Sequence, residues 1–292
     1  MLTRIISGAV GVVLLSTVLF FHDTVVLPIA VAAIIAVMLF ELLRAVKLHK
    51  CLPILIAAEA YGIAVPLLYG IMTKFHLYGG YEGAGYEFRN LRFAHEYNTY
   101  VFAAVLLCAF FVFVTWLRMH KKIRYEQVFF VLAVMILVPQ AMTTMIRIER
   151  FDPESGLFLL IMGLCGAWIA DTGAYFTGVA IGKHKLCPEI SPKKTVEGLA
   201  GGIITTAVSY TVAFSVYYGF SGKRAVIAFI TGAVCAVIGT VGDLSASMVK
   251  RQIGFKDYGK IMPGHGGLMD RFDSVLFVLP TFYAFIKLFG VQ

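Results

Sequence analysis

Residues 24–43 read TVVLPIAVAAIIAVMLFELL, and the only charged side chain among them is Glu41. A helix of about 20 consecutive, mostly apolar residues is long enough to cross the hydrocarbon core of a bilayer. Helices are favoured over strands because an unpaired backbone amide is costly in lipid and the alternating pattern of a membrane barrel is absent. This stretch therefore predicts a membrane-spanning helix.

Eight further stretches share this character, so we predict an all-α polytopic integral membrane protein with about nine transmembrane helices. The predicted spans are residues 5–21, 24–43, 52–72, 100–117, 128–146, 157–181, 199–220, 225–242 and 275–289. Charged residues make up only 14% of the chain, whereas about 25% is usual for soluble domains. This composition excludes a soluble globular enzyme, a disordered chain and a disulfide scaffold. We expect about five N-terminal spans in residues 1–150, a catalytic region with cytoplasmic loops in residues 151–292, and an outer loop over residues 73–98.

The basic residues predict the orientation of the chain in the membrane. Most of the 25 Lys and Arg residues fall in the N-terminal segment and in the loops on its side of the membrane. Such an excess marks the cytoplasmic side, so we expect the N-terminus in the cytoplasm and the C-terminus outside. The net charge of +8 then indicates topology and anionic lipid partners rather than nucleic acid. A signal peptide is the alternative for the first span, but no small-residue cleavage site directly follows Phe21.

Acidic side chains also occur within the predicted spans. Asp171 lies well inside the sixth span, where an ionisable group is expected to face protein or water, so we treat it as a candidate site residue. We assign Glu41 and Glu59 to helix ends or partner pairing rather than to catalysis. The sixth span also carries small residues at every fourth position, which predict close packing of another helix. These residues are Gly166, Ala170, Ala174, Gly178 and Gly182.

A basic segment precedes the seventh span, where residues 191–198 read SPKKTVEG. Pro192 interrupts any helix, and Lys193 and Lys194 stand just before the new span. Lysines beside the free N–H groups of a helix start can form a phosphate site. The alternative, topogenic charge with Thr195 capping the helix, remains open.

Three aspartates stand out near the last two spans. Asp243, Ser247 and Arg251 have the spacing i, i+4, i+8 and share one helix face. Asp270 and Asp273 are predicted to share a face in the first turns of the ninth helix. Clustered carboxylates suit a hard cation such as Mg²⁺, and a two-metal site would suit phosphoryl-type transfer. Ion pairing with nearby cations is the alternative; these are Lys250, Arg251, Lys256, Lys260 and Arg271.

Residues 247–273, which read SMVKRQIGFKDYGKIMPGHGGLMDRFD, resemble the signature of the phosphatidate cytidylyltransferase (CDP-diacylglycerol synthase) family. That pattern runs from a serine through Lys-Arg and Lys-Asp to Pro-x-His-Gly-Gly-x-x-Asp-Arg-x-Asp. Met262 is a small departure that keeps the apolar character. Asp171 and residues 191–198 also look like the family, so the resemblance covers roughly residues 165–275.

The resemblance implies an integral membrane enzyme that joins CTP and phosphatidate to give CDP-diacylglycerol and pyrophosphate. It implies Mg²⁺, a second cation such as K⁺, a homodimer surrounded by membrane lipids, and an active site on the cytoplasmic side of the membrane (the inner membrane in a bacterium). By motif position, the catalytic and metal-binding residues are expected to be Asp243, Asp270 and Asp273. The expected substrate-binding residues are Asp171, Ser191, Lys193, Lys194, Ser247, Lys250, Arg251, His265 and Arg271.

Three alternatives stay open at this point. A related CTP-dependent enzyme would act on another lipid acceptor, such as a polyprenol-type or archaeal lipid. A cation-coupled transporter would use Asp171 and Asp243 as an ion site, but its usual pair of related halves is not evident in the sequence. A structural membrane scaffold would leave the three spaced aspartates without a role.

Overall fold

The computed structural model describes residues 2–78, 86–264 and 266–290. Over these residues the chain forms ten helices and one two-stranded hairpin. The first five helices are α1 (Leu2–Phe20), α2 (Val26–Ala45), α3 (Leu52–Tyr78), α4 (Tyr86–Arg118) and α5 (Tyr125–Glu149). They are followed by α6 (Gly156–Ile181), β1 (Lys185–Cys187), β2 (Ser191–Thr195), α7 (Val196–Tyr218), α8 (Gly222–Ile253), α9 (Met269–Phe272) and α10 (Val275–Phe289).

The helices confirm the predicted fold class. Within the described residues, eight helical segments are long and apolar enough to cross a membrane, and the last of them combines α9 and α10 as Met269–Phe289. A shorter apolar helix over Ile6–Phe20 brings the number of apolar helices in this part of the chain to nine. The protein is therefore an all-α, multi-pass membrane protein apart from its small hairpin.

The predicted outer loop over residues 73–98 is largely wrong. Helix α3 continues to Tyr78 and α4 already begins at Tyr86, and residues 79–85 lie outside the described part. Hydropathy identifies only the apolar section of a helix. Polar turns at its ends keep their hydrogen bonds in water as well, so the spans end before the helices do.

The chain divides into two compact units. Unit 1 comprises Met1–Ile146 together with Tyr258–Met269, and unit 2 comprises Arg147–Asp257 together with Asp270–Gln292. The core of unit 1 lies among α2, α3, α4 and α5. Its buried side chains include Leu43, Ile54, Tyr61, Val112, Val128 and Met135.

Unit 2 is built from α6, α7, α8, α9 and α10 with the hairpin. Small residues let its helices approach closely, as a Cβ added at Gly202 would lie only 2.7 Å from the backbone oxygen of Ala170. A Cβ at Gly198 would lie equally close to the oxygen of Ala174. The predicted packing of a helix against the small-residue face of α6 is therefore confirmed, and its partner is α7.

The elements around the polar end of unit 2 begin and end at identifiable residues. The Thr195 side chain accepts a hydrogen bond from the Gly198 backbone N–H at 3.1 Å and caps α7, as the alternative interpretation of residues 191–198 expected. The C-terminal end of α8 is fixed by Gly254, which adopts the left-handed conformation (φ 80°). This conformation favours glycine. Helix α8 thus continues well past the predicted span and carries its last turns beyond Gly242.

Candidate active site

Asp243 forms an ion pair with Lys194 in unit 2. It lies on α8, and its Oδ2 is 2.5 Å from Nζ of Lys194, the fourth residue of β2. Ser247 lies one turn further along the same helix, with its Oγ 3.4 Å from Oδ1 of Asp243. The predicted shared face of α8 is therefore real, and the hairpin brings a lysine to it.

Two further carboxylates lie near this pair. The charges of Lys194, Asp243 and Arg271 influence Asp171 on α6. The charges of Asp243, Asp171 and Lys250 influence Asp273. Lys194, Lys250 and Arg271 offset part of the repulsion among these carboxylates.

A second ion pair joins α8 to α9. Nζ of Lys250 donates to Oδ1 of Asp270 at 2.7 Å, and the two side chains are only 11% and 4% exposed. Both charges are buried, and removing one member of a buried pair is strongly unfavourable.

The predicted continuous start of the ninth helix is wrong. Asp270 lies in the short helix α9, which ends at Phe272, and Asp273 lies in the turn before α10. The Oδ1 of Asp273 accepts the backbone N–H of the following residue, Ser274, at 2.8 Å. A side-chain oxygen that accepts a neighbouring backbone N–H offers the backbone an alternative to helical hydrogen bonding. The two aspartates therefore do not share one regular helix face.

Three other predicted site residues lie on the hairpin or contact it. Lys193 is exposed and neighbours Lys194 on β2, so the two side chains point to opposite faces of the strand. Ser191 pairs with Cys187 at the start of β2. Arg251 is exposed, and its Nε donates to the Ile190 backbone oxygen at 3.3 Å, which attaches the hairpin turn to α8.

Sequence analysis missed Glu197 as a support of this hairpin. Its carboxylate accepts the backbone N–H groups of Lys183 at 3.0 Å and His184 at 3.2 Å, and it lies 2.6 Å from Nδ1 of His184. The available signal was an acidic residue in the first turn of a helix, where the helix dipole favours negative charge. His265, another predicted site residue, lies outside the described residues.

The carboxylates can be tested against the chemistry of Mg²⁺. Among residues 2–78, 86–264 and 266–290, no three Asp, Glu, His or Cys side chains are placed so that they could hold a metal ion. However, Mg²⁺ is commonly bound by one or two carboxylates together with substrate phosphates and water. Asp243 and Asp273 carry the carboxylate oxygens that this shared mode of binding uses, and a bound phosphate would have to complete the ligand set.

Comparison with known proteins assigns the chain to a family. The sequence model of the cytidylyltransferase family matches residues 2–289, which is nearly the whole chain. The chain belongs to the cytidylyltransferase family. The resemblance noted from residues 247–273 is thereby confirmed, and the family match also includes the N-terminal helices, for which the sequence offered only apolar character.

Individual relatives carry a more specific name. A phosphatidate cytidylyltransferase of Bacillus subtilis (strain 168) is 34% identical over 291 residues, which cover 98% of both chains. A protein of the same name from Haemophilus influenzae is 45% identical over 148 residues, which cover 48% of this chain and 50% of that protein. A third, from Staphylococcus saprophyticus, is 44% identical over 127 residues, which cover 44% of this chain and 48% of that protein.

Proposed function

We propose that this chain transfers the cytidylyl group of CTP to phosphatidate, giving CDP-diacylglycerol and pyrophosphate. The observation that carries this proposal is the Lys194–Asp243 pair with Asp171 and Asp273 beside it, in a chain that matches the cytidylyltransferase family almost from end to end. The name and the 98% coverage of the Bacillus subtilis relative support phosphatidate as the acceptor.

The reaction needs charge neutralisation more than proton transfer. A phosphate oxygen of phosphatidate attacks the α-phosphorus of CTP in line, a new P–O bond forms, and the bond from the α-phosphorus to the bridging oxygen of the β-phosphate breaks. The electron pair leaves with pyrophosphate. A phosphate monoester has its second pKa at about 6, so the attacking oxygen is already ionised near neutral pH. Alignment and electrostatic stabilisation then account for most of the rate.

In this proposal the lysines of unit 2 bind the phosphates. Lys194 and Lys250 are held by carboxylates, so their ammonium groups are oriented before a substrate arrives, which lowers the cost of reorganisation. Lys193 and Arg251 are exposed and supply further positive charge at the rim, and Ser191, Ser247 and Arg271 complete the polar lining. His265 is proposed to contact phosphate.

The three predicted metal ligands keep that role in the proposal. Asp243, Asp270 and Asp273 would hold Mg²⁺, with K⁺ as a second cation. The bound cations would neutralise the charge of the triphosphate and of the leaving pyrophosphate. Asp171 contributes negative charge beside this group and orients Lys194.

The proposal includes where the reaction takes place and how the chain assembles. Phosphatidate remains among the lipids of the cytoplasmic leaflet (the inner membrane in a bacterium), and CTP arrives from the cytosol. We further propose a homodimer. The excess of Lys and Arg on the side of the hairpin and of residues 250–271 supports the cytoplasmic placement.

The test is release of pyrophosphate from CTP by the purified full-length chain with Mg²⁺, in the presence and absence of phosphatidate. We expect release only with phosphatidate. Asp243→Asn, Asp273→Asn and Lys194→Met should each lower kcat by at least about 100-fold, while Glu126→Gln, an exposed surface change, keeps the wild-type rate. Near-wild-type kcat in all three site variants would contradict the assigned residues.

The lipid acceptor is tested separately with a substrate panel. Phosphatidate should be converted far faster than a polyprenyl phosphate or an archaeal-type lipid. A preference for one of the latter would retain CTP chemistry but overturn the acceptor. Cation-driven uptake into vesicles without CTP turnover would support the transporter alternative instead.

A further inference from the structure

Glu41 is a buried acidic residue that the proposed reaction does not use. It lies in α2 and is only 1% exposed. Its Oε1 accepts the backbone N–H of Leu268 at 3.2 Å, and its Oε2 accepts that of Met269 at 2.9 Å. A carboxylate removed from water requires such donors, so these contacts are a built arrangement rather than an incidental approach.

The backbone around Glu41 is shaped to admit its carboxylate. A Cβ added at Gly259 would overlap Oε1 of Glu41 and would lie 2.8 Å from Cα of Gly267. A Cβ added at Gly267 would lie 2.5 Å from Oε2 of Glu41 and 2.6 Å from the backbone nitrogen of Gly259. Only glycine fits at either position, because any other side chain would displace the Glu41 carboxylate or the backbone of the other glycine.

Helix α2 holds both ends of the segment Tyr258–Met269, which belongs to unit 1 with it. Arg44, three residues after Glu41, donates from Nη2 to the Tyr258 backbone oxygen at 2.5 Å. Within the segment, the Met262 backbone N–H donates to the Gly266 oxygen at 3.1 Å and closes a tight turn. Arg44 therefore secures the entry of the segment and Glu41 secures its exit.

The exit of this segment is the start of α9. Met269 is the first residue of that helix and Asp270 is the second, so a shift of the Met269 backbone necessarily moves Asp270. Asp273 follows three residues later. Resting on the proposed function, we propose that Glu41 is a positioning residue of the cytidylyl transfer, which sets the placement of Asp270 and Asp273 through the backbone N–H groups of Leu268 and Met269.

The proposal predicts a loss of alignment rather than a loss of substrate binding. Glu41→Gln keeps the shape of the side chain but replaces one acceptor oxygen with a donor, which faces a backbone N–H. Misplacement of a reacting group by about 1 Å can cost about 100-fold in rate. We expect kcat to fall by about that factor while KM for CTP changes much less, because Lys193, Lys194 and Arg251 lie on β2 and α8, outside the segment that Glu41 holds.

A second variant reaches the same contact from the other side. Gly267→Ala leaves Glu41 in place but pushes the segment away from the carboxylate, and we expect the same selective fall in kcat. The matched controls are Glu126→Gln, an exposed carboxylate, and Gly222→Ala, where an added Cβ meets nothing within 4 Å. Both controls should keep wild-type kcat and KM.

Amide hydrogen exchange of the full-length chain without substrate gives a readout that does not depend on turnover. In Glu41→Gln, the amides of Leu268 and Met269 should exchange about tenfold faster than in the wild type, with little change in α6 and α7. If the wild-type chain does not release pyrophosphate, the proposed function fails, while this exchange measurement still decides whether Glu41 fixes the segment.

Three results would overturn the proposal. Unchanged exchange at Leu268 and Met269 would show that Glu41 does not hold them. Faster exchange with wild-type kcat would show that the contact has no bearing on catalysis. Failure of both Glu41→Gln and Gly267→Ala to fold, judged by thermal unfolding and size-exclusion profiles, would reduce Glu41 to a purely structural residue.

Discussion

Lys250 and Asp270 form an ion pair whose members are almost entirely removed from solvent. The pair joins two elements of unit 2, and the low exposure of Asp270 leaves its charge little access to water when Lys250 is absent. Breaking a buried pair from one side typically costs about 3–5 kcal/mol. Replacing an exposed pair such as Arg124–Glu126, whose side chains are 79% and 47% exposed, costs about 0–1 kcal/mol.

We therefore expect Lys250→Met to lower the thermal unfolding midpoint of the purified chain clearly, and Arg124→Gln to leave it almost unchanged. The double variant Lys250→Met, Asp270→Asn should regain part of the lost stability because no unpaired charge remains. It should not regain activity, since both residues belong to the proposed site. Equal midpoints for Lys250→Met and Arg124→Gln would show that the pair contributes no more than a surface contact.

The packing of α6 against α7 is the element-scale feature that places Asp171. A Cβ added at Gly202 would lie 2.7 Å from the backbone oxygen of Ala170, the residue directly before Asp171. In Gly202→Ala the added methyl group must separate the two helices, and overpacking of this kind costs about 1–3 kcal/mol. We expect a lower unfolding midpoint and a lower kcat, because Asp171 moves with α6.

Gly222→Ala is the matched control for this change, since it makes the same substitution near the start of α8 with open space around the new methyl group. It should leave both the midpoint and kcat unaltered. If Gly202→Ala behaved like this control, the close approach of α6 and α7 would not matter for the site.

Much of the helical architecture could be predicted from the sequence because apolar run length and the four-residue spacing of small side chains are local signals. The spacing of Asp243 and Ser247 predicted their shared face, which α8 confirms. Helix ends were less accessible: the outer turns of α3 and α4 are polar, and hydropathy does not detect them. The break after Phe272 was also missed, because the Asp273 carboxylate accepts the backbone N–H of Ser274 and interrupts a stretch that otherwise has a helical pattern.

Contacts between distant segments had no signal in the local sequence pattern. The hairpin of β1 and β2 brings Lys194 to Asp243, and nothing in the segment 185–195 predicts strand pairing, since it is short and contains two prolines. Glu41 was assigned to a helix end or to partner pairing, and its partners are backbone N–H groups more than 200 residues away. Such a pairing follows from the fold and not from local pattern.

At the scale of the whole molecule, the proposed chemistry requires one orientation in the membrane. CTP is a charged, water-soluble nucleotide, so the end of unit 2 that carries the hairpin and the last turns of α8 must face the compartment that contains it. The distribution of Lys and Arg independently favours the cytoplasm for that end. The link between α4 and α5 is expected on the same side, and the start of α8 on the opposite side.

These placements can be measured with single cysteines introduced into a variant that lacks the five native ones. We expect a cysteine at Lys121, between α4 and α5, to be protected from a membrane-impermeant maleimide in intact cells and labelled after permeabilisation. A cysteine at Lys223, near the start of α8, should be labelled in intact cells. Both original side chains are exposed in the structure, so accessibility to the reagent is limited by the membrane and not by burial. The opposite labelling pattern would place Lys194 and Asp243 outside the cell, away from CTP. It would contradict both the orientation and the proposed reaction.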